Sequence, residues 1–360
     1  MSNIHIKSLH IQAFRGIKDL VLSDFTGINI FTGGNNSGKT SVLEVLQTSG
    51  DPHSPTEWTR LRKNKNHSTP TRTVFESIKD LYPVSEKDLN IAYSKEDDVN
   101  GASPVRLHAS VSSEKTIMRE YCRIANIDCE PRKEYAEAQM IKLSGSFDAY
   151  NITRFDIFAE NGEKPYNKYN VLYISPTEYR DECPIISEVF SNNETHTELI
   201  NVLQLFDSDI LDIAPPIRDY EIPYPINSGY QVRSKKYGKL MPLAVYGDGM
   251  KKALWLVTAI LISKNGVLLI DEFETAIHAS VMAKLFSWMF KACKIYNVQL
   301  FMTTHSKEAL QKVMALHMEP DLQNEITLYT LYKQDKNTVA RRLSAQEAYN
   351  ADNDFGMELR

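Results

Sequence analysis

The 360-residue chain has little that would place it in a membrane, in an oxidising compartment or on nucleic acid. Its four cysteines, Cys122, Cys129, Cys183 and Cys293, show no CxxC spacing and no histidine at metal-ligand spacing, which favours free thiols in a reducing cytosol. No stretch approaches the roughly 20 apolar residues that span a bilayer, and no apolar run follows a basic start. The net charge of −5 gives no overall attraction to nucleic acid. We therefore expect a soluble, cytoplasmic protein.

The chain also lacks internal repeats and the heptads of a coiled coil. Its texture changes near Gly50: residues 51–70 are polar without a clear period, and residues 73–170 mix short amphipathic and alternating pieces. We predict a main domain formed by residues 1–50 and 171–360. Residues 51–170 would be an inserted subdomain of mixed α/β structure, and their role is not indicated by the sequence.

The periodicity of the main domain predicts an α/β fold. The segment IHIKSLHIQAFRGIKDLVL alternates apolar and polar residues and predicts two antiparallel strands around a turn at Arg15–Gly16. Buried strands are predicted at INIFTG, YNVLYISP, NGVLLIDE and VQLFMTTH, with helices at 195–210, 250–263, 279–296 and from Ser306. Apolar strands alternating with helices indicate a mainly parallel sheet flanked by helices. The end of the chain predicts a hairpin around 334–337.

GGNNSGKT matches the phosphate-binding pattern G-x-x-x-x-G-K-[ST] between a predicted strand and a predicted helix. In this pattern the backbone N–H groups wrap the phosphates, and the helix N-terminus adds its dipole. Lys39 would reach the β and γ oxygens, and Thr40 would offer its hydroxyl to Mg²⁺. The predicted ATP-binding residues are Gly33, Gly34, Asn35, Asn36, Ser37, Gly38, Lys39, Thr40 and Ser41.

VLLIDE ends a buried strand in two acids, Asp271 and Glu272. Ligands bind at the carboxyl ends of parallel strands, so both acids are expected beside the nucleotide. Asp271 would join Thr40 in holding Mg²⁺, and Glu272 would activate the attacking water as a general base. A strand that merely ends in an acid is the structural alternative.

His305 follows the next predicted strand in LFMTTHS. A lone histidine is more often structural than catalytic. Because only one helix separates this strand from the Asp271–Glu272 strand, His305 is predicted to lie beside the γ-phosphate, where it would sense the phosphate or orient the water.

VYGDGMKKALW places Gly247, Asp248 and Gly249 immediately before a predicted helix. One interpretation is an ordinary helix entry capped by Asp248. The other is a helix N-terminus open to a phosphate that a second subunit binds in trans. Asp248 is unfavourable beside a phosphate unless it pairs elsewhere, for example with Lys251 or Lys252.

Together these pieces resemble the ABC-type ATPase head of the RecF/SMC/OLD (overcoming lysogenization defect) group, and most closely the stand-alone AAA15/AAA21 ATP-binding proteins. The resemblance covers residues 3–49 and 171–360 and includes YISP, YGDGMKKAL, LLIDEFETAIHASV, FMTTHS and ARRLSAQEAYNADNDFGMELR. It implies a P-loop NTPase with ATP and Mg²⁺ as cofactors and with head-to-tail dimerisation, the glycine segment of one head contacting the γ-phosphate of the other.

The same resemblance implies a role. Stand-alone relatives are commonly encoded beside a separate nuclease or toxin in antiphage defence systems, so we expect an ATP-hydrolysing dimeric switch that controls or recruits such an effector. Many OLD relatives continue into a Toprim nuclease domain, for which this chain leaves no room, so no nuclease activity is expected in cis. The alternatives are a RecF- or SMC-like DNA-binding repair ATPase and a non-hydrolysing ATP-dependent scaffold.

Two features depart from these expectations or leave them open. FETAIHAS stands where relatives usually have IENGLHPS, so the loop after Glu272 is expected to pack differently, and no glutamine is assigned to complete the metal site. The basic segments 60–67 and 233–239 offer contacts to nucleic acid phosphates, although solvated loops are the commoner interpretation.

Overall fold

The computed structural model describes residues 3–50, 61, 88–95, 105–117, 135–138, 153–159, 169–180, 187–215, 229–335 and 337–355. The strands are β1 (Ile6–Phe14), β2 (Ile17–Leu22), β3 (Ile28–Thr32), β4 (Asp88–Lys95), β5 (Val105–Ile117), β6 (Tyr135–Ala138), β7 (Thr153–Ala159), β8 (Val171–Ile174), β9 (Ile210–Ala214), β10 (Gln231–Ser234), β11 (Leu240–Pro242), β12 (Val267–Ile270), β13 (Gln299–Thr303), β14 (Ile326–Gln334) and β15 (Asn337–Ser344). The helices are α1 (Lys39–Gln47), α2 (Ser187–Ser191), α3 (Asn193–Leu203), α4 (Asp248–Ile262), α5 (Ala279–Ile295), α6 (Lys307–Met314) and α7 (Ala345–Phe355).

The central sheet has the strand order β15-β14-β3-β13-β12-β8. All of its neighbouring pairs are parallel except β14 with the edge strand β15. Every residue of β3, β12 and β13 is buried, as expected for parallel strands covered on both faces. The predicted P-loop α/β fold with a mainly parallel sheet is confirmed.

Alternating side chains of the central strands feed two separate cores. In β12, Leu268 and Ile270 belong to the larger core, which includes residues of α4, α5 and α6. Val267 and Leu269 belong to the other core, which includes residues of α1, β1 and β2. The period of two along a strand thus directs side chains to both faces, one covered by helices and the other by α1 with β1 and β2. Because β3, β8, β12 and β13 are parallel, their carboxyl ends lie at one edge of the sheet.

A second sheet is antiparallel and has the order β2-β1-β4-β5-β6, with β7 also paired to β5. The predicted turn at Arg15–Gly16 is confirmed, because Phe14 and Ile17 are paired across it. Strand β4, from the predicted insertion, pairs along β1. Most of residues 51–170 lie outside the described residues, and the division at residues 50 and 171 stays a prediction.

One helix ends earlier than the sequence predicts, and two other predicted features are confirmed. The helix predicted at 195–210 ends at Leu203, and Ile210 instead begins β9, which joins β10 and β11 in a small antiparallel sheet. The hairpin near residue 335 is confirmed, since Gln334 pairs with Asn337. Helix α6 starts after Ser306, whose hydroxyl oxygen accepts the Ala309 N–H at 3.1 Å and caps the helix.

The expectations about the cysteines and about membrane-spanning segments can be compared with the structure only over the described residues. Cys293 is a free, buried thiol, and burial raises its pKa, whereas Cys122, Cys129 and Cys183 lie outside the described residues. Across the described ranges, no helix combines the length and the apolar character that crossing a bilayer requires.

Candidate nucleotide site

The loop between β3 and α1 has a backbone that only glycine adopts easily at its first position. Gly33 has a φ of 138°, and a Cβ there would lie 2.2 Å from the Leu331 carbonyl oxygen of β14. The loop is therefore pressed against the neighbouring strand, and its following residues Gly34, Asn35 and Asn36 are exposed. The exposed part of the loop lies between the end of β3 and the start of α1, the place where phosphate-binding loops present backbone N–H groups to an anion.

Lys39, the first residue of α1, is 4% exposed. Its Nζ donates to the Gly33 carbonyl at 2.7 Å and to the Gly34 carbonyl at 2.9 Å. Burial lowers the pKa of Lys39, while the carboxylates of Asp271, Glu272 and Glu274 oppose that shift. The ammonium group is thus held across the loop, at the edge where the acids lie.

Three hydroxyl groups contact the Asp271 carboxylate. The Thr40 hydroxyl lies 3.1 Å from Oδ2, the Tyr173 hydroxyl donates to Oδ2 at 3.1 Å, and the Thr303 hydroxyl donates to Oδ1 at 2.5 Å. Because these residues come from α1, β8 and β13, the carboxylate is fixed by elements on both sides of β12. Burial and the negative charge of Asp271 raise the pKa of Tyr173, so this hydroxyl keeps its proton and donates it.

The donor set suits a hard divalent cation. Mg²⁺ takes oxygen ligands and usually keeps water and phosphate oxygens beside one or two protein groups. The Thr40 hydroxyl and the Asp271 carboxylate lie together at the phosphate loop and provide two such oxygens. Across the described residues no cluster of three or more His, Cys, Asp and Glu has the geometry of a metal site.

Glu272 begins a tight loop after β12. Its φ is 48°, a left-handed value that is uncommon outside glycine. Its N–H donates to the Thr303 hydroxyl at 2.9 Å, and Thr303 in turn donates to Asp271. Its carboxylate is partly exposed and accepts a long hydrogen bond of 3.4 Å from the Thr275 hydroxyl. The two adjacent acids therefore differ: Asp271 is enclosed, whereas Glu272 is open to solvent on the same edge.

His305 lies just beyond the carboxyl end of β13 and is exposed. Its backbone N–H donates to Glu274 Oε1 at 3.0 Å, and the Ser306 N–H donates to the same oxygen at 3.1 Å. The structure thus brings His305 to the edge of the sheet that carries Asp271 and Glu272. Its role toward a phosphate remains a prediction.

Gly247 accounts for the unusual backbone of the Gly-Asp-Gly segment. It is the N-terminal cap of α4, with φ 87° and ψ 172°, and no atom lies within 4 Å of where its Cβ would be. Gly249 has no positive φ, and a Cβ there would lie 3.0 Å from the Ala276 carbonyl oxygen. Asp248 pairs with Lys251 at 3.3 Å and its side chain does not cap the helix. Asp248 is therefore not the cap of α4, whereas the choice between an ordinary helix entry and a phosphate contact in trans is not decided by this geometry. Gly247 and Asp248 are exposed at the start of the helix.

Four residues of this site were not identified from the sequence: Tyr173, Thr303, Glu274 and Lys252. Tyr173 and Thr303 lie at the carboxyl ends of strands adjacent to β12 and were detectable by the rule that located Asp271. Glu274 is two residues after Glu272, and Lys252 is in α4 with 0% exposure. The positions of Glu274 and Lys252 depend on tertiary packing, which the local sequence pattern does not reveal.

The basic segments are only partly described. Residues 60–67 fall outside the described residues except for Leu61, which is buried. The second segment forms the end of β10 and its turn to β11, where Lys235, Lys236 and Lys239 are exposed. Tyr237 in the same turn lies beneath Lys236 and contacts Tyr246, which precedes Gly247.

Comparison with known proteins places the chain in a family. The family described as "AAA domain, putative AbiEii toxin, Type IV TA system" matches residues 28–310. An "ATP/GTP phosphatase" of Helicobacter pylori is 24% identical over 98% of this chain and 100% of its own length. The "DNA replication and repair protein RecF" of Nitrosococcus oceani is 45% identical, over only 13% of each chain.

Solved structures share the fold. An SMC head bound to the C-terminal winged-helix domain of ScpA has a TM-score of 0.51 at 12% identity, covering 96% of this chain and 99% of its own. An SMC head with an extended coiled coil, bound to the C-terminal domain of ScpA derived from Pyrococcus furiosus, has a TM-score of 0.50 at 11% identity. It covers 98% of this chain and 100% of its own. At such identities the likeness concerns the fold alone.

Proposed function

The chain belongs to the family described as "AAA domain, putative AbiEii toxin, Type IV TA system", and from this we propose that it binds ATP at Gly33–Ser41 and hydrolyses it. It is an ATPase of the ABC type in the RecF/SMC group. The observation that carries the assignment of roles is the convergence on Asp271 of hydroxyls from Thr40, Tyr173 and Thr303, with Glu272 open beside it.

Each residue then has a definite task. The exposed N–H groups of the loop and Lys39 bind the phosphates, and the positive charge of Lys39 offsets the charge of the β and γ oxygens. Thr40 and Asp271 would hold Mg²⁺, which supplies charge neutralisation when bound. Glu272 accepts a proton from the attacking water as general base. His305 orients that water or senses the γ-phosphate from the neighbouring strand end.

We further propose that two heads associate head to tail, with Gly247, Asp248 and Gly249 of one head facing the nucleotide of the other. Two observations support this. Gly247 is exposed, and no atom lies within 4 Å of its Cβ position. Helix α4 begins at the next residue, so its N-terminal end lies at this exposed glycine. The N-terminal end of a helix favours an anion. The pairing of Asp248 with Lys251 reduces the repulsion that its carboxylate would exert on a phosphate.

The wider role that we propose is an OLD-like ATPase switch in antiphage defence, which controls or recruits a separately encoded nuclease or toxin. Membership in a family described by a putative toxin of a Type IV TA system supports this context. Identification of the neighbouring gene, followed by copurification of its product with the Glu272→Gln variant in the presence of ATP, tests it. DNA binding by the wild-type protein that is lost on neutralising Lys235, Lys236 and Lys239 would favour the RecF-like alternative instead.

Hydrolysis is tested with two variants that separate binding from turnover. Lys39→Ala should lose ATP affinity, whereas Glu272→Gln should bind ATP and turn over about 10²–10⁴-fold more slowly. Glu308→Gln, which neutralises an exposed acid on α6, is the matched control and should keep full activity. ATP binding without turnover by the wild-type protein would support the non-hydrolysing scaffold.

Association is tested by light scattering of Glu272→Gln with and without ATP and Mg²⁺. A ligand buried between two heads stabilises the dimer by mass action, so the mass should rise with ATP. A mass that is unchanged across the concentration range, at the value of one chain, would contradict the head-to-tail arrangement.

A further inference from the structure

The loop that follows β12 is bonded to the end of β13 at its first two residues. The Glu272 N–H donates to the Thr303 hydroxyl at 2.9 Å, and the Phe273 N–H donates to the Thr303 carbonyl at 3.1 Å. The buried Phe273 ring meets the Phe286 ring of α5 edge to face, with centroids 4.9 Å apart. These contacts hold the start of the loop, which carries the proposed general base, against the strand that leads to His305.

The side chain of Glu274 continues this attachment beyond the end of β13. Its Oε1 accepts the His305 N–H at 3.0 Å and the Ser306 N–H at 3.1 Å, so one carboxylate oxygen binds two successive backbone groups. Ser306 is the N-terminal cap of α6. Hydrogen bonds to a charged acceptor are stronger than those to a neutral one, and a negative charge is favourable at the start of a helix. Glu274 therefore holds the His305–Ser306 turn.

The two N–H groups of this turn depend on Glu274 to different degrees. The Ser306 N–H also donates to the Thr304 hydroxyl at 3.0 Å. Over the described residues, the His305 N–H has Glu274 Oε1 as its acceptor. Loss of this carboxylate would leave Ser306 with one acceptor and His305 with none, so the effect would fall mainly on His305.

Only one oxygen of Glu274 makes this contact. Its Oε2 is buried and has no hydrogen-bond partner in the part of the chain that the structure describes. An amide oxygen accepts hydrogen bonds as a carboxylate oxygen does, so a glutamine at this position would keep the acceptor for both N–H groups. A methionine, which has a similar length, would remove it. The two substitutions therefore separate the hydrogen bonds from the space that the side chain fills.

We propose that Glu274 is a positioning residue for His305. By binding the His305 N–H from the loop that carries Glu272, it keeps the histidine and the proposed general base at a fixed separation on the edge of the sheet. It acts through His305 and not on the nucleotide or the attacking water. The inference rests on the proposed ATPase function and on the role proposed there for His305.

The first test compares Glu274→Met with Glu274→Gln in steady-state hydrolysis. Misplacement of a catalytic group by an ångström costs up to about 100-fold, so Glu274→Met should lose about 10- to 100-fold in kcat with the Kd for ATP little changed. Glu274→Gln keeps the acceptor and should lose no more than about fivefold. Glu308→Met is the matched control, since it removes an exposed acid from the first turn of α6, and it should keep full activity.

A double-mutant cycle with His305→Ala tests whether Glu274 acts through the histidine. Adding Glu274→Met to His305→Ala should lower kcat no further, because the group that Glu274 positions is already absent. Losses that multiply, a Glu274→Gln protein as slow as Glu274→Met, or unchanged kcat in either Glu274→Met or His305→Ala would each overturn the inference. An unaffected His305→Ala protein would leave the roles proposed for Lys39 and Glu272 intact.

Hydrogen exchange provides a readout that does not depend on turnover. The N–H groups of His305 and Ser306 should exchange faster in Glu274→Met than in wild type, and at the wild-type rate in Glu274→Gln and Glu308→Met. Equal exchange in Glu274→Met and wild type would refute the attachment. If the wild-type protein hydrolyses no ATP, the proposed function fails and exchange alone decides whether Glu274 holds the turn. If Glu274→Met does not fold, Glu274→Asp, which shortens the reach by one methylene, replaces it with the same expectations.

Discussion

The Thr303 hydroxyl joins the two acids that follow β12: it donates to Asp271 Oδ1 at 2.5 Å and accepts the Glu272 N–H at 2.9 Å. One side chain from β13 therefore fixes both the carboxylate proposed to hold Mg²⁺ and the backbone of the proposed general base. Adjacent acids on a strand end would otherwise be free to rotate independently.

Removing hydroxyls from Asp271 should weaken magnesium-dependent turnover. Groups that orient a metal ligand typically contribute 10–100-fold to metal affinity or activity, so Tyr173→Phe and Thr303→Val should each raise the Mg²⁺ concentration for half-maximal hydrolysis by about tenfold or more. Thr303→Val should also lower kcat, because it removes the acceptor for the Glu272 N–H. Titration of Mg²⁺ at saturating ATP measures both effects, and identical titration curves for wild-type and Tyr173→Phe would contradict them.

Gly33→Ala should destabilise the folded protein without any nucleotide. A Cβ would lie 2.2 Å from the Leu331 carbonyl oxygen, and the φ of 138° is unfavourable for alanine. Strained backbone conformations cost on the order of 1–3 kcal/mol each, and the contact adds to that. Urea unfolding measures the loss. Gly34→Ala is the matched control, since nothing lies within 4 Å of its Cβ position, and equal stability of the two variants would refute the steric account.

Lys252→Met should stabilise the protein at neutral pH, and the gain should shrink as the pH rises. Burial lowers the pKa of Lys252 from 10.5 to about 8, against the charges of Glu274, Asp271, Glu272 and Glu178. Below pH 8 Lys252 is protonated in both states, and its burial in the folded protein lowers the free energy of unfolding. Between pH 8 and 10.5 the unfolded chain binds more protons, so wild-type stability rises relative to the variant. One pKa unit is about 1.4 kcal/mol, which makes the full change on the order of 3 kcal/mol.

Urea unfolding at pH 7, 8, 9 and 10 without Mg²⁺ provides the measurement. The difference between wild type and Lys252→Met should narrow with pH, while the difference for exposed Lys264→Met should stay constant. If the stability difference between wild type and Lys252→Met stays constant with pH, the wild-type Lys252 ammonium is not held in a desolvated site.

The nucleotide loop and the two acids were predictable because both rest on local pattern. The P-loop spacing identifies Lys39 and Thr40, and an apolar run ending in Asp271 identifies a strand edge. The burial of Lys252 was not predictable. Lys251 and Lys252 are adjacent in the sequence, yet Lys251 is partly exposed and Lys252 is buried. Residues Ala253 to Ile260 are apolar except for Thr258 and indicate an enclosed helix. They do not indicate that Lys252, which directly precedes them, is buried as well. The helix predicted through residue 210 failed because β9 begins there, and pairing with β10 overrides the local pattern.

The trans arrangement is best tested at Asp248 rather than at Gly249. A bulky residue at Gly249 would strike the Ala276 carbonyl of its own subunit and disturb the Glu272 loop directly, so a loss of activity there would not distinguish cis from trans. Asp248 is exposed, its side chain caps nothing, and Lys251 is its ion-pair partner. Asp248→Trp should therefore fold and bind ATP normally, yet block the approach of a second head, so that hydrolysis and ATP-dependent association both fall.

Mixing Asp248→Trp with Lys39→Ala separates the two arrangements. In a mixed dimer with head-to-tail sites, one site combines an intact phosphate loop with an intact glycine segment, and the other site carries both changes. The mixture should then hydrolyse ATP faster than either variant alone. Random subunit exchange and independent sites set an upper limit of about one quarter of the wild-type rate, which is lowered to the extent that the single Trp weakens the mixed dimer. Lys251→Met, which removes the partner of Asp248 without adding bulk, serves as the control for the loss of the ion pair. Mixed dimers that form and yet show no gain over the parents would place the Gly247–Gly249 segment outside the active site of the other subunit. Failure of Asp248→Trp to bind ATP as a single head would instead mean that the segment serves the phosphate loop of its own chain.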